Sequence, residues 1–136
     1  MMKVLLINGS PNKEGCTFTA LTEVAGALQK NGIETEIFHI GRKPVHGCIA
    51  CGRCSEINRC TFDDDVCNEM VERMVDADGI IIGSPVYYAG PNGALCALLD
   101  RAFFSSSQRL RYKPAAAVVS CRRGGSTAAF DRLNKY

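Results

Sequence analysis

Cys48, Cys51, Cys54 and Cys60 stand with two, two and five residues between successive thiols, and they make up half of the chain's eight cysteines. Thiolates at this spacing fold round one compact centre with little backbone between them. The run resembles a C-x2-C-x2-C ligand series with a fourth cysteine close behind, the arrangement that holds an iron–sulfur cluster. A structural zinc site draws its ligands from two separated pairs with a longer spacer. Here the second cysteine is shared by both C-x2-C steps, which favours a cluster. Zinc, and plain thiols in a metal-free loop, remain open as alternatives.

Three further segments combine small residues with hydrogen-bonding groups. The first, Gly9-Ser10-Pro11-Asn12-Lys13-Glu14-Gly15-Cys16-Thr17, leads from an apolar run straight into an amphipathic one. Its backbone N–H groups, the Ser10 and Thr17 hydroxyls and the Asn12 amide suit a phosphate at a helix N-terminus. It lacks the Gly-Lys-Ser/Thr ending of a P-loop and is not G-x-G-x-x-G, so it is read as holding one terminal phosphate without a dedicated cation. The second, Ser84 to Gly93, sets Tyr87 and Tyr88 beside Pro85 and Val86, a backbone and aromatic surface for a planar heterocycle. The third, Ser120 to Thr127, carries Arg122, Arg123, Gly124 and Gly125. Guanidinium or backbone donors there suit the negative charge of a reduced flavin. Taken singly, each segment is also readable as an ordinary turn.

These segments need elements to position them. Val4–Asn8 reads as a buried strand, 17–30 as a helix ended by Asn31-Gly32, and 33–40 as an alternating edge strand. The cysteine loop occupies 47–61, and Asp63-Asp64-Asp65 caps a helix bearing Val66, Met70, Val71 and Met74. Gly79–Gly83 is a short central strand, 92–104 a helix, and 115–120 a fourth strand. Alternation of this kind predicts an α/β fold with a parallel sheet covered on both faces, and ligands gather beyond the C-terminal ends of its strands. Residues 1–136, with 46% hydrophobic content, are read as a single domain.

A net charge of +2 with scattered basic residues gives no nucleic-acid surface. The apolar run after Met1 is too short for a signal peptide, and no stretch is long enough to span a membrane. A cytoplasmic protein is expected, where clustered cysteines signal metal or redox chemistry in place of disulfides. Cys67 and Cys96 read as small buried hydrophobes, Cys121 lies on the rim, and His46 is a candidate proton relay beside the cysteine loop. No residue is assigned a catalytic role, since no nucleophile–base constellation can be argued.

The three segments, in this order, resemble the flavodoxin-like NAD(P)H-dependent FMN reductase family, and the cysteine run between the second strand and the next helix resembles its iron–sulfur flavoprotein branch. The resemblance covers essentially the whole chain. It implies a three-layer sandwich with strand order 2-1-3-4-5, FMN, a [4Fe-4S] cluster on Cys48, Cys51, Cys54 and Cys60, and a homodimer or homotetramer that completes the flavin site. By position, Ser10, Asn12, Cys16 and Thr17 would hold the phosphate, Cys16 through its backbone. Pro85, Val86, Tyr87, Tyr88, Arg123 and Gly124 would face the ring. NAD(P)H or a ferredoxin would be the redox partner, with a small-molecule acceptor. A metal-free FMN or quinone reductase and a zinc- or thiol-based redox sensor are the competing functions. The chain stops at Asn134-Lys135-Tyr136, before a fifth strand and its helix, which are expected to be missing from a truncated sequence or supplied from elsewhere.

Overall fold

Parallel pairing of an alternating edge strand with two apolar ones sets the frame. The computed structural model describes Met1–Tyr136. Strand β1 (Lys3–Asn8) lies between β2 (Glu34–His39) and β3 (Gly79–Tyr87), with Leu6 opposite Ile37 on one side and Ile81 on the other. Strand β5 (Ala115–Ser120) runs parallel on the far side of β3, so the parallel strands follow the order β2-β1-β3-β5. This is the expected flavodoxin-like order through the fourth parallel strand. A two-residue strand, β4 (Gly90–Pro91), folds back antiparallel on the end of β3. The pairing records no fifth parallel strand, and β5 forms an open edge.

Side chains alternate across the sheet and divide the core in two. Helix α1 (Cys16–Lys30) covers one face, placing Leu21 and Ala25 on Leu6. Leu5, Ile7, Ile80 and Ile82 point to the other face. There they meet Met70, Val71 and Met74 of α3 (Cys67–Asp76) and Leu95, Leu98, Leu99 and Ala102 of α4 (Gly93–Ser106). Helix α5 (Ser126–Leu133) joins this second layer through Leu133. Between β2 and α3 the chain forms the cysteine arm, whose only helical turn, α2 (Cys54–Ile57), periodicity did not reveal.

Two boundaries differ from the sequence reading. Strand β3 runs past Gly83 to Tyr87, because Ser84 and Pro85 still pair with Val119 and Ser120 and Tyr87 pairs with Gly90. Six of the ten residues expected as the ring-binding turn, Ser84 to Tyr87 and Gly90 to Pro91, are therefore strand. Its reversal is a two-residue loop with Tyr88 at φ 49° and Ala89 at φ 61°, the left-handed pair that matches the twist of a hairpin. Helix α3 starts at Cys67 with Val66 as an N-cap that offers no side-chain bond, so none of the three aspartates is the cap; Asp65 alone meets a backbone N–H of the first turn, its Oδ1 accepting from Cys67 at 3.1 Å.

Candidate functional site

The first loop is organised from below by Asn8, fully buried at the end of β1. Its Oδ1 accepts the Ser10 N–H at 3.1 Å and its Nδ2 donates to the Lys13 carbonyl at 3.2 Å. Ser10 Oγ in turn accepts the Asn12 N–H at 3.1 Å, leaving its own proton to donate. Gly9 is demanded by close approach: a Cβ there would lie 2.4 Å from Leu95 Cδ2 and 2.6 Å from the Gly83 carbonyl oxygen. The loop ends at Gly15, the N-cap of α1, which offers no side-chain cap. The N–H groups of Cys16, Thr17 and Phe18 therefore have no partner in the chain, and the positive end of a 15-residue helix opens on the loop. Ser10 and Thr17 are buried, while Asn12 and Cys16 are exposed.

A cation from outside the loop braces its backbone. Arg42, just beyond β2, donates from Nε to the Pro11 carbonyl at 2.9 Å and from Nη2 to Asn12 Oδ1 at 2.7 Å. His39 sits at the same end of β2 with a buried, unpartnered Nδ1. Burial, together with the charges of Lys13 and Arg42, holds its pKa below the usual histidine value.

Asn92 joins the first loop to the second. Its Oδ1 accepts the Ala94 N–H at 3.1 Å as the N-cap of α4, its Nδ2 donates to the Gly9 carbonyl at 2.8 Å, and its N–H donates to Ser84 Oγ at 3.0 Å. The two backbone partners fix which way its amide points. Pro85 and Val86 are half-buried, and Tyr87 and the fully exposed Tyr88 face solvent. The third loop meets the second at Gly125, at φ 85°, where a Cβ would lie 2.8 Å from Ala89 Cα. Arg123 and Gly124 are exposed beside it. All three loops thus gather at one rim of the sheet, with the first and third each in contact with the second.

The cysteine arm converges separately. Cys48, Cys51, Cys54 and Cys60 line a single cavity of ≈190 Å³ with Ile49, Phe62 and Phe104, and no carboxylate shares its wall. No three His, Cys, Asp or Glu side chains stand close enough to hold a single metal ion. A cluster carries its irons at separate corners and spaces its thiolates more widely than one ion does, so an all-sulfur donor set round one cavity fits such a group. The zinc alternative, which needs four ligands on one ion, fits less well.

The wall of this cavity was not legible as a site residue. Arg101 of α4 is 1% exposed, and its guanidinium pairs with Asp65, Nη1 to Oδ2 at 2.5 Å and Nη2 to Oδ1 at 3.0 Å. The signal in the sequence was a charge three residues after Leu98, inside an apolar stripe. Burial pushes the Asp65 carboxyl up, but the Arg101 hydrogen bonds and the Cys67 and His46 N–H groups outweigh it and leave the pKa below the usual value. Asn68, also missed, grips Cys60 by accepting its N–H and donating to its carbonyl, both at 3.1 Å. His46 stacks on Phe62 at 4.0 Å and reaches Asp64 at 3.0 Å. Cys67 is buried, and burial pushes its thiol up to about 12. Cys96 is only half-buried and Cys121 is exposed, so only Cys67 packs as a core hydrophobe.

With the rim and the cysteine cavity in place, likeness to known proteins is decisive. The family model for NADPH-dependent FMN reductase matches residues 2–136. The chain belongs to that family. An iron–sulfur flavoprotein of Methanocaldococcus jannaschii is 37% identical over 99% of this chain and 71% of its own length. One from Methanosarcina thermophila is 34% identical, over 99% of this chain and 72% of its own. Among solved structures, the flavoenzyme NAD(P)H:(acceptor) oxidoreductase FerB of Paracoccus denitrificans superposes with a TM-score of 0.71 at 21% identity, over 99% of this chain and 70% of that one. RosB, solved with a bound riboflavin-phosphate intermediate, gives 0.74 at 16% identity, over 99% of this chain and 58% of that one. At such identities these two establish the flavodoxin-like fold alone. No helix is long and apolar enough to cross a membrane.

Proposed function

We propose that the chain is an FMN-dependent oxidoreductase of the electron-transfer kind, with FMN on the three rim loops and a [4Fe-4S] cluster on Cys48, Cys51, Cys54 and Cys60. The observation that carries this reading is the convergence of all four motif cysteines on one cavity free of carboxylates. When bound, FMN supplies two-electron chemistry and a cluster supplies one-electron transfer, which suits a protein that splits electron pairs.

The chain's own part is to bind and orient. The unpartnered N–H groups at the start of α1, with Ser10, Asn12, Cys16 and Thr17, receive the phosphate. Asn12 contributes its free Nδ2, because Arg42 already occupies its oxygen. Pro85, Val86, Tyr87 and Tyr88 form one side of the ring site and Arg123 and Gly124 the other. One phosphate loop and no adenosine-reading acid favour FMN over FAD.

The two sites are spaced along α4. Arg101 lies eight residues after Gly93, about 12 Å down the helix from the rim. That separation, the exposed Tyr88, and the exposed Ile49 and Phe104 at the cysteine cavity support a homodimer or homotetramer in which a second copy completes the flavin site. NAD(P)H or a ferredoxin is proposed as donor to a small-molecule acceptor, in the cytoplasm, with residues 1–136 acting as one domain. The competing reading is a metal-free NAD(P)H-dependent reductase, favoured by the family model that matches the chain, which is that of an NADPH-dependent FMN reductase and names no cluster.

Anaerobic reconstitution separates the two. The wild type is expected to show flavin bands with a broad shoulder in the visible and to contain iron and sulfide, and released flavin should have the mass of FMN. Cys54→Ser should lose iron and sulfide but keep FMN, and Cys67→Ala should keep both. Flavin without iron in the reconstituted wild type gives the case to the metal-free reductase.

A further inference from the structure

Arg101 spends every N–H it has. Nε donates to Cys60 Sγ at 3.1 Å, Nη1 to the His46 carbonyl at 3.1 Å and to Asp65, and Nη2 to the Phe62 carbonyl at 3.2 Å and to Asp65. His46 precedes the cysteine arm, and Phe62 and Asp65 follow it. One buried guanidinium therefore staples both stems of the arm to α4, with its Cζ 5.5 Å from the Phe62 ring centroid.

The four sulfurs are not treated alike. Cys48 Sγ accepts only the Ala50 N–H, at 3.5 Å, and Cys54 Sγ points at the Phe104 carbonyl at 3.9 Å. Cys60 alone among them is met by a charged donor, and Asn68 fixes its backbone as well. Asp65 pairs with the Nη edge of the guanidinium, so the Nε–H is the part of the cation left to face sulfur. Hydrogen bonds from a charged donor are about twice as strong as neutral ones. Bonds to ligand sulfurs are also among the factors that set a cluster's reduction potential.

We infer that Arg101 is a positioning residue that makes Cys60 the anchored corner of the cysteine site and favours the reduced, more negative state of the group held there. This rests on the cluster reading above. Lysine cannot replace it, because a point ammonium lacks the fork that serves Asp65 and sulfur together.

The test is an anaerobic dithionite titration of reconstituted protein, followed by electron paramagnetic resonance, on wild type and Arg101→Lys. The reduced-to-oxidised ratio at a fixed potential should fall about tenfold in the variant, which is 59 mV for one electron. Asn68→Ala loosens the same segment without touching sulfur. It should lower iron content while leaving the potential of the loaded fraction near wild type. If Arg101→Lys does not fold, Asp65→Asn/Arg101→Gln exchanges the buried ion pair for a neutral amide pair, and the same fall is expected. Hydrogen exchange of metal-free protein gives an independent readout: amides at His46 and Cys60 to Cys67 should exchange faster in the Arg101 variant. An unchanged potential in a loaded Arg101 variant overturns this inference alone. Absence of iron from the wild type overturns it together with the cluster reading.

Discussion

Asn92 is the residue whose loss should separate the site from the fold that carries it. Asn92→Ala removes the N-cap of α4, which costs about 1 kcal/mol. It also strips the Gly9 carbonyl of its donor, a loss of about 1–3 kcal/mol for a buried acceptor. Together these give about 2–4 kcal/mol. At about 4 °C per kcal/mol for a chain of this size, the melting temperature should drop by roughly 8–16 °C. Asn92→Ser keeps a capping oxygen but cannot reach Gly9, so it should lose only the second part. The assay is thermal unfolding of wild type, Ser and Ala variants, each with and without saturating FMN. FMN at 100 times its dissociation constant adds about 2.7 kcal/mol of stability. If Asn92 holds the first loop in register with the second, that increment shrinks in both variants, by about 1.4 kcal/mol for each tenfold loss of affinity. An FMN-induced increment identical in all three proteins would refute the reasoning. So would a serine variant as damaged as the alanine one.

Replacing Ser10 and Thr17 together with Ala should weaken FMN by about 3 kcal/mol, roughly 100-fold or more, from two lost hydrogen bonds to a charged phosphate; fluorescence titration of FMN reads this directly. The depressed pKa of Asp65 means its contribution to stability is complete above the unfolded carboxylate value of about 3.9 and is lost as pH falls through the lower folded value. Asp65→Asn leaves Arg101 buried and unpaired, so it should cost about 3–5 kcal/mol at pH 7, with the gap to wild type narrowing below about pH 4 in urea melts. Cys67, its thiol pushed up to about 12 by burial, should resist maleimide at pH 8 while the exposed Cys16 and Cys121 are labelled, and mass spectrometry before and after denaturation distinguishes them.

Elements were legible wherever one period ruled. The continuous apolar run Val4–Ile7, the 3.6-residue stripe of Phe18, Leu21, Ala25 and Leu28, and the Asn31-Gly32 stop placed β1 and α1 within a residue of where they lie. The extension of β3 to Tyr87 escaped because Ser84-Pro85 carries no strand propensity, and its pairing depends on β5 and β4 arriving from later in the chain. The site divides in the same way. Ser10, Asn12, Thr17 and the four cysteines announce themselves by type and spacing. Arg42, Asn92 and Arg101 act through partners distant in sequence that only the fold brings near, while Asn68 reaches Cys60 only eight residues back, through a loop conformation that no periodicity reveals. Asn92 was readable as a helix start, but its bond to Gly9, 83 residues earlier, was not.

Helix α4 carries the rim's pin at one end and the cysteine arm's staple near the other, which makes it a gauge of fixed length between two sites. Nine positions separate Asn92 from Arg101, about 13.5 Å and two and a half turns. One residue inserted between them would swing the guanidinium by about 100° out of its pocket and leave Asn92 undisturbed. Both stems of the cysteine arm return to the same guanidinium, so a residue added within the arm but outside the Cys48–Cys60 run leaves the staple in place, whereas a change in the length of α4 between Asn92 and Arg101 uncouples the two sites at a single stroke.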